Sequence, residues 1–394
     1  MSTQLPQVHS INFTNLTYFK RSHRIAVASF FFILGFCFAS WASRIPDIQQ
    51  KLGLNETQLG MVLFALPIGL FISLPVSGWL ISRKGSKKIV CIASLFYACI
   101  LVALGFAETT FQLVAALFAF GFAGNMGNIS MNTQAVGVEY LYKRNIMASF
   151  HGIWSLAGFS GAAVGTLMNG LEIYPGYHFL VVLTFTVSIF LVAAPFLLNK
   201  DNQAKENPPF FALPHKSLLS LGLIAFCSML CEGAMFDWSG IYFKKVVQAK
   251  PSMISAGYTA FMCTMALSRF VADYFTFKYG FKRIIQASGL ITMTGLLLAV
   301  LMPYLYSAIA GFLLVGVGVS SVVPLVYSAA GKSKILSPGM ALASVSTISF
   351  FGFLIGPPLI GVLAGISSLR LSFAVIALMG LSVSILATIS KEDY

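Results

Sequence analysis

The sequence predicts an all-α integral membrane protein with about twelve transmembrane helices in two six-helix halves. Hydrophobic residues make up 57% and charged residues 9% of the 394 residues, and the mean hydropathy is +0.84. Soluble domains carry far more charge. A spanning helix needs about 20 apolar residues, so a chain of this length holds about twelve with short connections. The apolar runs are continuous rather than alternating, which excludes a β-barrel.

Twelve apolar runs define the predicted spans, near residues 24–43, 57–81, 88–107, 111–138, 146–170, 177–198, 217–243, 253–277, 283–303, 305–329, 339–365 and 370–390. The most polar internal stretch follows the sixth run and contains prolines and charges, which is typical of a linker. We therefore predict a cytoplasmic N-terminal tail (1–22), an N-terminal six-helix bundle (23–198), a cytoplasmic linker (199–216) and a C-terminal six-helix bundle with a short tail (217–394).

The net charge of +13 is explained by topology. With both termini in the cytoplasm, most Lys and Arg residues fall in cytoplasmic loops, as the positive-inside rule requires. The charge therefore needs no nucleic-acid partner. The start of the chain lacks a cleavable signal pattern, so we expect a multi-pass protein of the cell inner (plasma) membrane. All six cysteines fall in predicted spans and are interpreted as small apolar residues, not disulfides or metal ligands.

Two short basic loops occupy corresponding places in the two halves. Residues 78–88 form a cationic turn between the second and third spans. Residues 268–283 contain a similar but less regular sequence, which includes an acidic residue, Asp273. The fifth and eleventh spans both carry closely spaced glycines, which let helix backbones approach one another. These correspondences predict two related halves.

The loop at 78–88 resembles the Gly-x-x-x-Asp-Arg-x-Gly-Arg-Arg loop of the major facilitator superfamily of transporters. Arg83 matches the motif, whereas Ser82 stands where that family usually has Asp. Residues 44–48, 149–155, 232–239 and 324–331 resemble a fucose-permease-like bacterial branch. The resemblance implies two parallel six-helix halves with nested inverted repeats, and a secondary transporter that works by alternating access.

The resemblance also implies latches in which a loop acid meets a helix N-terminus of the opposite half. Asp273 would face the start of the fifth span near Asn145, because helix-end N–H groups attract negative charge. Ser82 would face Ser337 and Pro338 at the start of the eleventh span. Serine carries no charge, so we expect this second latch to be the weaker one.

Three arginines complete the candidate gating set. Arg83 belongs to the first loop, and Arg269 lies four residues before Asp273 on the same helix face, which predicts an ion pair between them. Arg44 closes the first span at the outer interface. Snorkelling alone explains Arg44, whereas the family resemblance makes it a candidate for the outer gate.

Three titratable residues in the spans are candidates for proton coupling. Glu232 lies halfway along the seventh span, where desolvation favours the uncharged acid, so it can carry a proton. The alternative is a carboxyl permanently paired with a neighbouring helix. Asp237 is either a substrate or gate residue or the cap of a broken helix. His151 is either a second proton site or a packing histidine.

Polar and aromatic residues near mid-membrane are candidates for substrate binding. Asn125, Asn128 and Asn132 fall within about 60° of one another on a helix and would form one amide stripe. Such amides can form hydrogen bonds with the hydroxyls and carbonyls of a solute, or alternatively with a neighbouring helix. The remaining candidates are aromatic: Trp154, Trp238 and Tyr327.

The sequence therefore predicts a secondary active transporter that moves a sugar-like or other small polar solute, with uptake by proton symport favoured. A proton-coupled exporter or antiporter of amphipathic or drug-like compounds is the main alternative, since 36 Phe and 15 Met can line an adaptable pocket. A transporter-like receptor is a third class. No Walker loop or hydrolase motif is present, so we expect no enzyme, cofactor or metal. The expected partners are a small-molecule substrate, protons and membrane lipid, with the protein itself a monomer.

Overall fold

The computed structural model describes residues 13–143, 146–201, 218–333, 336 and 338–390; the side chains of 13–19, 148, 273, 338 and 339 are outside this description. Within these ranges the chain forms fourteen α-helices and no strand. The first half contains α1 (Phe13–Leu52), α2 (Glu56–Leu63), α3 (Ala65–Lys84), α4 (Ser86–Phe106), α5 (Thr110–Tyr142), α6 (Met147–Gly170) and α7 (Pro175–Ala193). The second half contains α8 (Leu219–Lys245), α9 (Ala256–Tyr279), α10 (Phe281–Leu301), α11 (Leu305–Val319), α12 (Val322–Gly331), α13 (Pro338–Ile366) and α14 (Leu369–Ile389).

The fourteen helices make twelve membrane crossings, because two crossings are each built from two consecutive helices. Helices α2 and α3 meet at Phe64, and α11 and α12 meet at Ser320 and Ser321. A proline follows each interruption, Pro67 in the first case and Pro324 in the second. Proline has no N–H, so it cannot bond the carbonyl four residues earlier and the helix is interrupted there. The predicted all-helical membrane fold with twelve crossings is confirmed.

Ten of the crossings in the described part of the chain are long and apolar enough to span a bilayer by length and composition alone. Helices α6 and α9 are the other two, and each has 24 residues. At 1.5 Å per residue such a helix is about 36 Å long, which is sufficient to cross a bilayer. They pack against each other across the two halves, where the hydroxyls of Thr166 and Thr259 lie 2.9 Å apart.

The membrane sides can be named from the chain itself. We call the side at which α7 ends and α8 begins the linker side, and the other the opposite side. On the linker side, α3 turns into α4 at Gly85 and α9 turns into α10 at Gly280, with φ angles of 80° and 84°. Both glycines adopt backbone angles that other residues rarely reach. The two halves therefore repeat the same helix–turn–helix geometry.

Helix α1 is longer than the sequence predicts and extends from Phe13 to Leu52 instead of 24–43. The added C-terminal part continues through Pro46 and is buried, since Ile45 and Ile48 are each 1% exposed. Backbone groups in that position cannot reach water, so the helix continues and satisfies most of them internally. This extension brings the end of α1 against the second half.

Candidate functional site

A buried charged pair lies at the centre of the second half. Glu232 stands in the middle of α8, with thirteen helical residues on either side, and is 7% exposed. Its Oε1 lies 3.7 Å from Nη2 of Arg269 in α9. Two opposite charges at that distance in a membrane interior attract each other, although the pair lacks a short hydrogen bond. Glu232 is thus held by one cation from a neighbouring helix.

Arg269 also reaches beyond its own half. Its Nη1 donates a hydrogen bond of 2.7 Å to Oγ of Ser155 in α6. The Ser155 hydroxyl in turn donates to the carbonyl oxygen of His151, one helical turn earlier. A single guanidinium therefore connects the carboxyl of α8 with a helix of the first half. The sequence analysis does not predict a role for Ser155, which is the last residue of the segment 149–155 that resembles the fucose-permease-like branch.

The third contact of Arg269 depends on the break between α11 and α12. The Nε atom donates to the carbonyl oxygen of Ser320 at 3.4 Å. This carbonyl lies four residues before Pro324, so the proline leaves it without its helical donor. The guanidinium takes the place of that donor. The broken helix thereby positions Arg269 towards Glu232 and Ser155.

Arg269 lies beside Glu232, and its expected ion pair with Asp273 stays a prediction. The side chain of Asp273 lies outside the described residues, as do Asn145 and Ser337, so the loop latches stay predictions. The start of α6 is already occupied by another acid. The Oε1 atom of Glu139 accepts hydrogen bonds from the backbone N–H groups of Ile146 and Met147, at 2.7 and 2.8 Å.

Asp237 lies on α8 closer to the opposite side and is 8% exposed. No hydrogen bond of the described residues involves its carboxyl. Trp238 is fully buried, and its indole N–H also lacks an acceptor within the described part of the chain. Tyr258 of α9 lies nearby, with its ring 6.3 Å from that of Phe236 and its hydroxyl equally without a partner among these residues. Buried polar groups in this state require a water or a ligand.

His151 and Trp154 lie on α6 facing different surroundings. His151 is exposed, and its ring meets Phe31 edge-on with centroids 5.4 Å apart. Trp154 is half-buried and packs against Phe38 of α1 at 6.3 Å. Phe38 in turn meets Phe236 of α8 at 5.1 Å, nearly perpendicular. An aromatic contact therefore joins the two halves close to the charged pair.

The three asparagines of α5 do not form one stripe. Asn125 is buried and its Nδ2 donates to Leu70 O and Ser73 Oγ of α3, at 3.2 and 2.8 Å. It therefore joins two helices within the first half. Asn128 is exposed and Asn132 is half-buried, and among the described residues Nδ2 of Asn132 bonds only to Asn128. These two amides keep free hydrogen-bonding capacity for a solute.

Tyr327 lies on α12 and is half-buried. Its hydroxyl is 2.9 Å from that of Ser349 in α13. The contact fixes the ring between two helices of the second half. The hydroxyl retains one further lone pair or its proton for another partner.

The opposite side of the protein is closed by a buried polar cluster that contains Arg44. Arg44 is 2% exposed, pairs with Asp47 at 2.9 Å and donates to Asn169 Oδ1 and to the carbonyl oxygen of Ile173. The amide of Asn169 continues to the second half, where it donates to Ser255 Oγ at 2.6 Å. Arg44 is therefore a component of a contact between the halves, and not an exposed interfacial anchor.

Two further contacts close the same side. Nζ of Lys245 at the end of α8 lies 2.5 Å from a carboxylate oxygen of Glu56 at the start of α2. Deeper in the membrane, α2 and α13 cross at Gly60 and Gly361. A methyl group built on Gly60 would lie 2.7 Å from Pro357 O and 2.9 Å from the Cα atom of Gly361. The two helices are thus in backbone contact.

The loop on the linker side has its own local contacts. Ser82 is exposed and its hydroxyl donates to Trp79 O at 2.8 Å. The guanidinium of Arg83 lies 4.9 Å from the centre of the Trp79 ring. Neither side chain contacts the second half in the part of the chain that the structure describes. Within that part no group of three His, Cys, Asp or Glu residues is arranged to hold a metal ion.

Two helical halves with buried polar contacts between them define a polytopic membrane transporter. The family model of the Major Facilitator Superfamily matches residues 25–334. The chain therefore belongs to this superfamily, whose members are transporters and not enzymes.

Curated relatives cover nearly the whole chain. An uncharacterised MFS-type transporter of Yersinia pestis is 31% identical over 363 residues, which is 92% of this chain and 94% of that protein. An uncharacterised transporter of Sinorhizobium fredii is 32% identical over 370 residues, 93% of this chain and 97% of that one. The crystal structure of a nucleoside transporter NupG mutant superposes with a TM-score of 0.74, covering 94% and 100% of the two chains, at 13% identity. That likeness concerns the fold.

Proposed function

We propose that this transporter moves a small polar solute together with a proton by alternating access, and that Glu232 carries the proton. The observation that supports this most is the placement of Glu232 at the midpoint of α8, buried and held by one guanidinium at 3.7 Å. An acid in a membrane interior is costly and is a functional residue by default. Arg269 is the one cation that pairs with it among the described residues, so protonation of Glu232 changes its interaction with a single residue.

The contacts of Arg269 supply a coupling step. When Glu232 is charged, it attracts the guanidinium of Arg269 towards α8. When Glu232 is protonated, that attraction ends and the guanidinium keeps only neutral partners, Ser155 and the carbonyl oxygen of Ser320. Since Ser155 belongs to the first half, the proton on Glu232 changes a contact between the halves. Asp237 and the exposed His151 are further candidate proton sites on the two sides of this pair.

The solute would bind between the halves. Asn128, Asn132 and Trp154 are exposed or half-buried and offer two amides and an aromatic ring. This combination suits a sugar, a nucleoside or another uncharged polar ring compound. Tyr327 approaches from the second half, whereas Trp238 is buried and would contact solute only after the helices move.

The gates would lie at the two sides of the membrane. Arg44 and Asn169 close the opposite side, and the loop residues Ser82, Arg83 and Asp273 act on the linker side. The basic linker-side loops favour both termini in the cytoplasm of a bacterial cell, with the protein working as a monomer in the inner membrane. The opposite side would then face outwards.

Proton-coupled export of an amphipathic compound is a second candidate. The aromatic contact of Phe38 with Trp154 and Phe236 favours it, because these rings lie between the halves and offer an apolar surface. Export and uptake use the same proton site and differ in the sign of the gradient that drives accumulation. The same experiment therefore distinguishes them.

The test is transport in proteoliposomes with an imposed pH gradient and a panel of sugars, nucleosides and amphipathic drugs. The Glu232→Gln variant should lose gradient-driven accumulation and retain solute exchange. Glu108→Gln is the matched control, since Glu108 is exposed at the opposite side. Accumulation that survives in Glu232→Gln would remove Glu232 from the mechanism and direct attention to Asp237 and His151.

A further inference from the structure

A half-open groove with a volume of about 670 Å³ runs along the outside of the first half, between the beginning of α1 and the end of α7. Its walls are mainly apolar and include Ile25 and Val192, which are 56% and 72% exposed. Side chains that are apolar and this exposed in a membrane helix face lipid. Three serines line the groove, and each has a partner: Ser29 and Ser188 each donate to a carbonyl of their own helix, and Ser22 also has an interaction partner. The serines of the groove therefore need no hydrogen-bond partner from the molecule that fills it.

The linker-side end of the groove is basic. Arg21 lines it, and Lys20 precedes it in α1. Neither side chain has a hydrogen bond or ion pair with another described residue. The next cation, Arg24, is different, because it donates to Ser149 Oγ at 3.3 Å and lies 5.6 Å from the centre of the Tyr142 ring. The apolar groove thus ends at Arg21, with Lys20 next to it in α1, and neither cation pairs with an acid of the described residues.

The dimensions suit one lipid chain. The groove extends from Arg21 to Ser29 along α1, eight residues or about 12 Å at 1.5 Å per residue. Lipid tails are as apolar as the groove walls, so filling it with a tail gives shape complementarity and little net affinity. The discriminating free energy must come from the head group at the basic end. Cations at a membrane surface attract anionic head groups.

We propose that the groove between α1 and α7 binds an anionic phospholipid, with the phosphate at Arg21 and Lys20 and one acyl chain between the helices. The guanidinium can bond two phosphate oxygens at once, which a neutral side chain cannot. The site lies on the lipid-facing surface of the first half, away from the charged pair of α8 and α9. It is independent of the proton-coupled transport proposed above.

The test is lipid binding to the purified full chain by native mass spectrometry, with phosphatidylglycerol competing against phosphatidylcholine of the same chains. The wild type should retain phosphatidylglycerol preferentially. Arg21→Gln should bind it about tenfold more weakly, as expected when one charge-assisted contact is lost. Arg283→Gln is the matched control, an exposed arginine on the linker side of the second half, and should behave as the wild type.

Two additional arms identify the source of the anion and the role of the groove. Glycerol 3-phosphate at the same concentration should not compete if the acyl chain is part of the ligand. Ser188→Phe should fill the groove and reduce binding, provided that the variant elutes as the wild type does in size exclusion. Equal retention of the two lipids, or equal effects of Arg21→Gln and Arg283→Gln, would overturn the proposal whatever Ser188→Phe does.

Discussion

Arg269 of α9 and Ser155 of α6 belong to different halves of the transporter and are joined by a hydrogen bond of 2.7 Å. The same guanidinium faces Glu232 of α8. The candidate proton site and a contact between the halves therefore share one side chain. In the proposed mechanism, a change in the charge of Glu232 therefore acts on the other half through Arg269 alone.

Loss of the Ser155 hydroxyl should loosen the two halves on the linker side. A hydrogen bond to a charged donor contributes about 1.5 kcal/mol or more, so Ser155→Ala should shift the conformational population by about tenfold. Distances between spin labels placed in each half on the linker side measure this shift. Ser160→Ala is the control, because that hydroxyl donates to Leu156 O within α6. A distance distribution identical for the two variants would contradict the coupling role of Ser155.

The pair of Glu232 and Arg269 should show strong thermodynamic coupling. Removing one partner leaves the other charge buried without compensation, which typically costs about 3–5 kcal/mol. Removing both should cost less than the sum of the two. Unfolding in detergent of Glu232→Gln, Arg269→Gln and the double variant measures the difference, and we expect a coupling of at least about 1 kcal/mol. Additive effects would show that the two groups act independently.

The fold was predictable from the sequence because it depends on the lengths of the apolar segments. The pairing of Glu232 with Arg269 was not predictable. Glu232 was recognised from its position in a span. Its partner was not, since 37 residues separate it from Arg269 and only the rotation of α8 against α9 brings them together. For Arg269 the sequence predicts Asp273 as a partner, from spacing along one helix. Spacing within a helix carries no information about neighbouring helices.

Two other features needed three-dimensional information. The sequence predicts a continuous span over 305–329, whereas Pro324 interrupts it and frees the Ser320 carbonyl for Arg269. Proline can kink a helix or stop it, and the sequence does not distinguish the two outcomes. Asn125 shared a helix face with Asn128 in the sequence, but α3 lies directly against Asn125. The packing of that helix determines which amides stay accessible.

Closure of the opposite side should depend on Gly60. Its Cα lies so near α13 that a methyl group would be 2.7 Å from Pro357 O, a distance at which the backbone must move. Gly60→Ala should therefore disfavour the closed arrangement and increase labelling of cysteines placed between the halves from the opposite side. Gly356→Ala is the matched control, because a methyl group there meets nothing within 4 Å. Equal labelling of both variants would show that α2 and α13 adjust without opening.

Asn169 should stabilise the same closed side through its position between the halves. Its Oδ1 accepts from Arg44 of its own half and its Nδ2 donates to Ser255 of the other. Asn169→Ala removes both contacts, whereas Arg44 keeps Asp47 and Ile173 O and Ser255 keeps Ser43 O. The cost is therefore that of two lost buried hydrogen bonds, about 1 kcal/mol or more each.

The expected result is slower cross-linking between cysteines introduced at Gln50 and Lys244, whose side chains lie 2.5 Å apart across the halves in the closed state. The native cysteines lie in α1, α4, α8 and α9, each at least thirteen residues along the chain from Gln50 and Lys244. Asn132→Ala is the control, since Asn132 bonds only to Asn128 within α5. If Asn169→Ala cross-links as fast as this control, closure rests on the contact of Lys245 with Glu56 and on the crossing of α2 with α13.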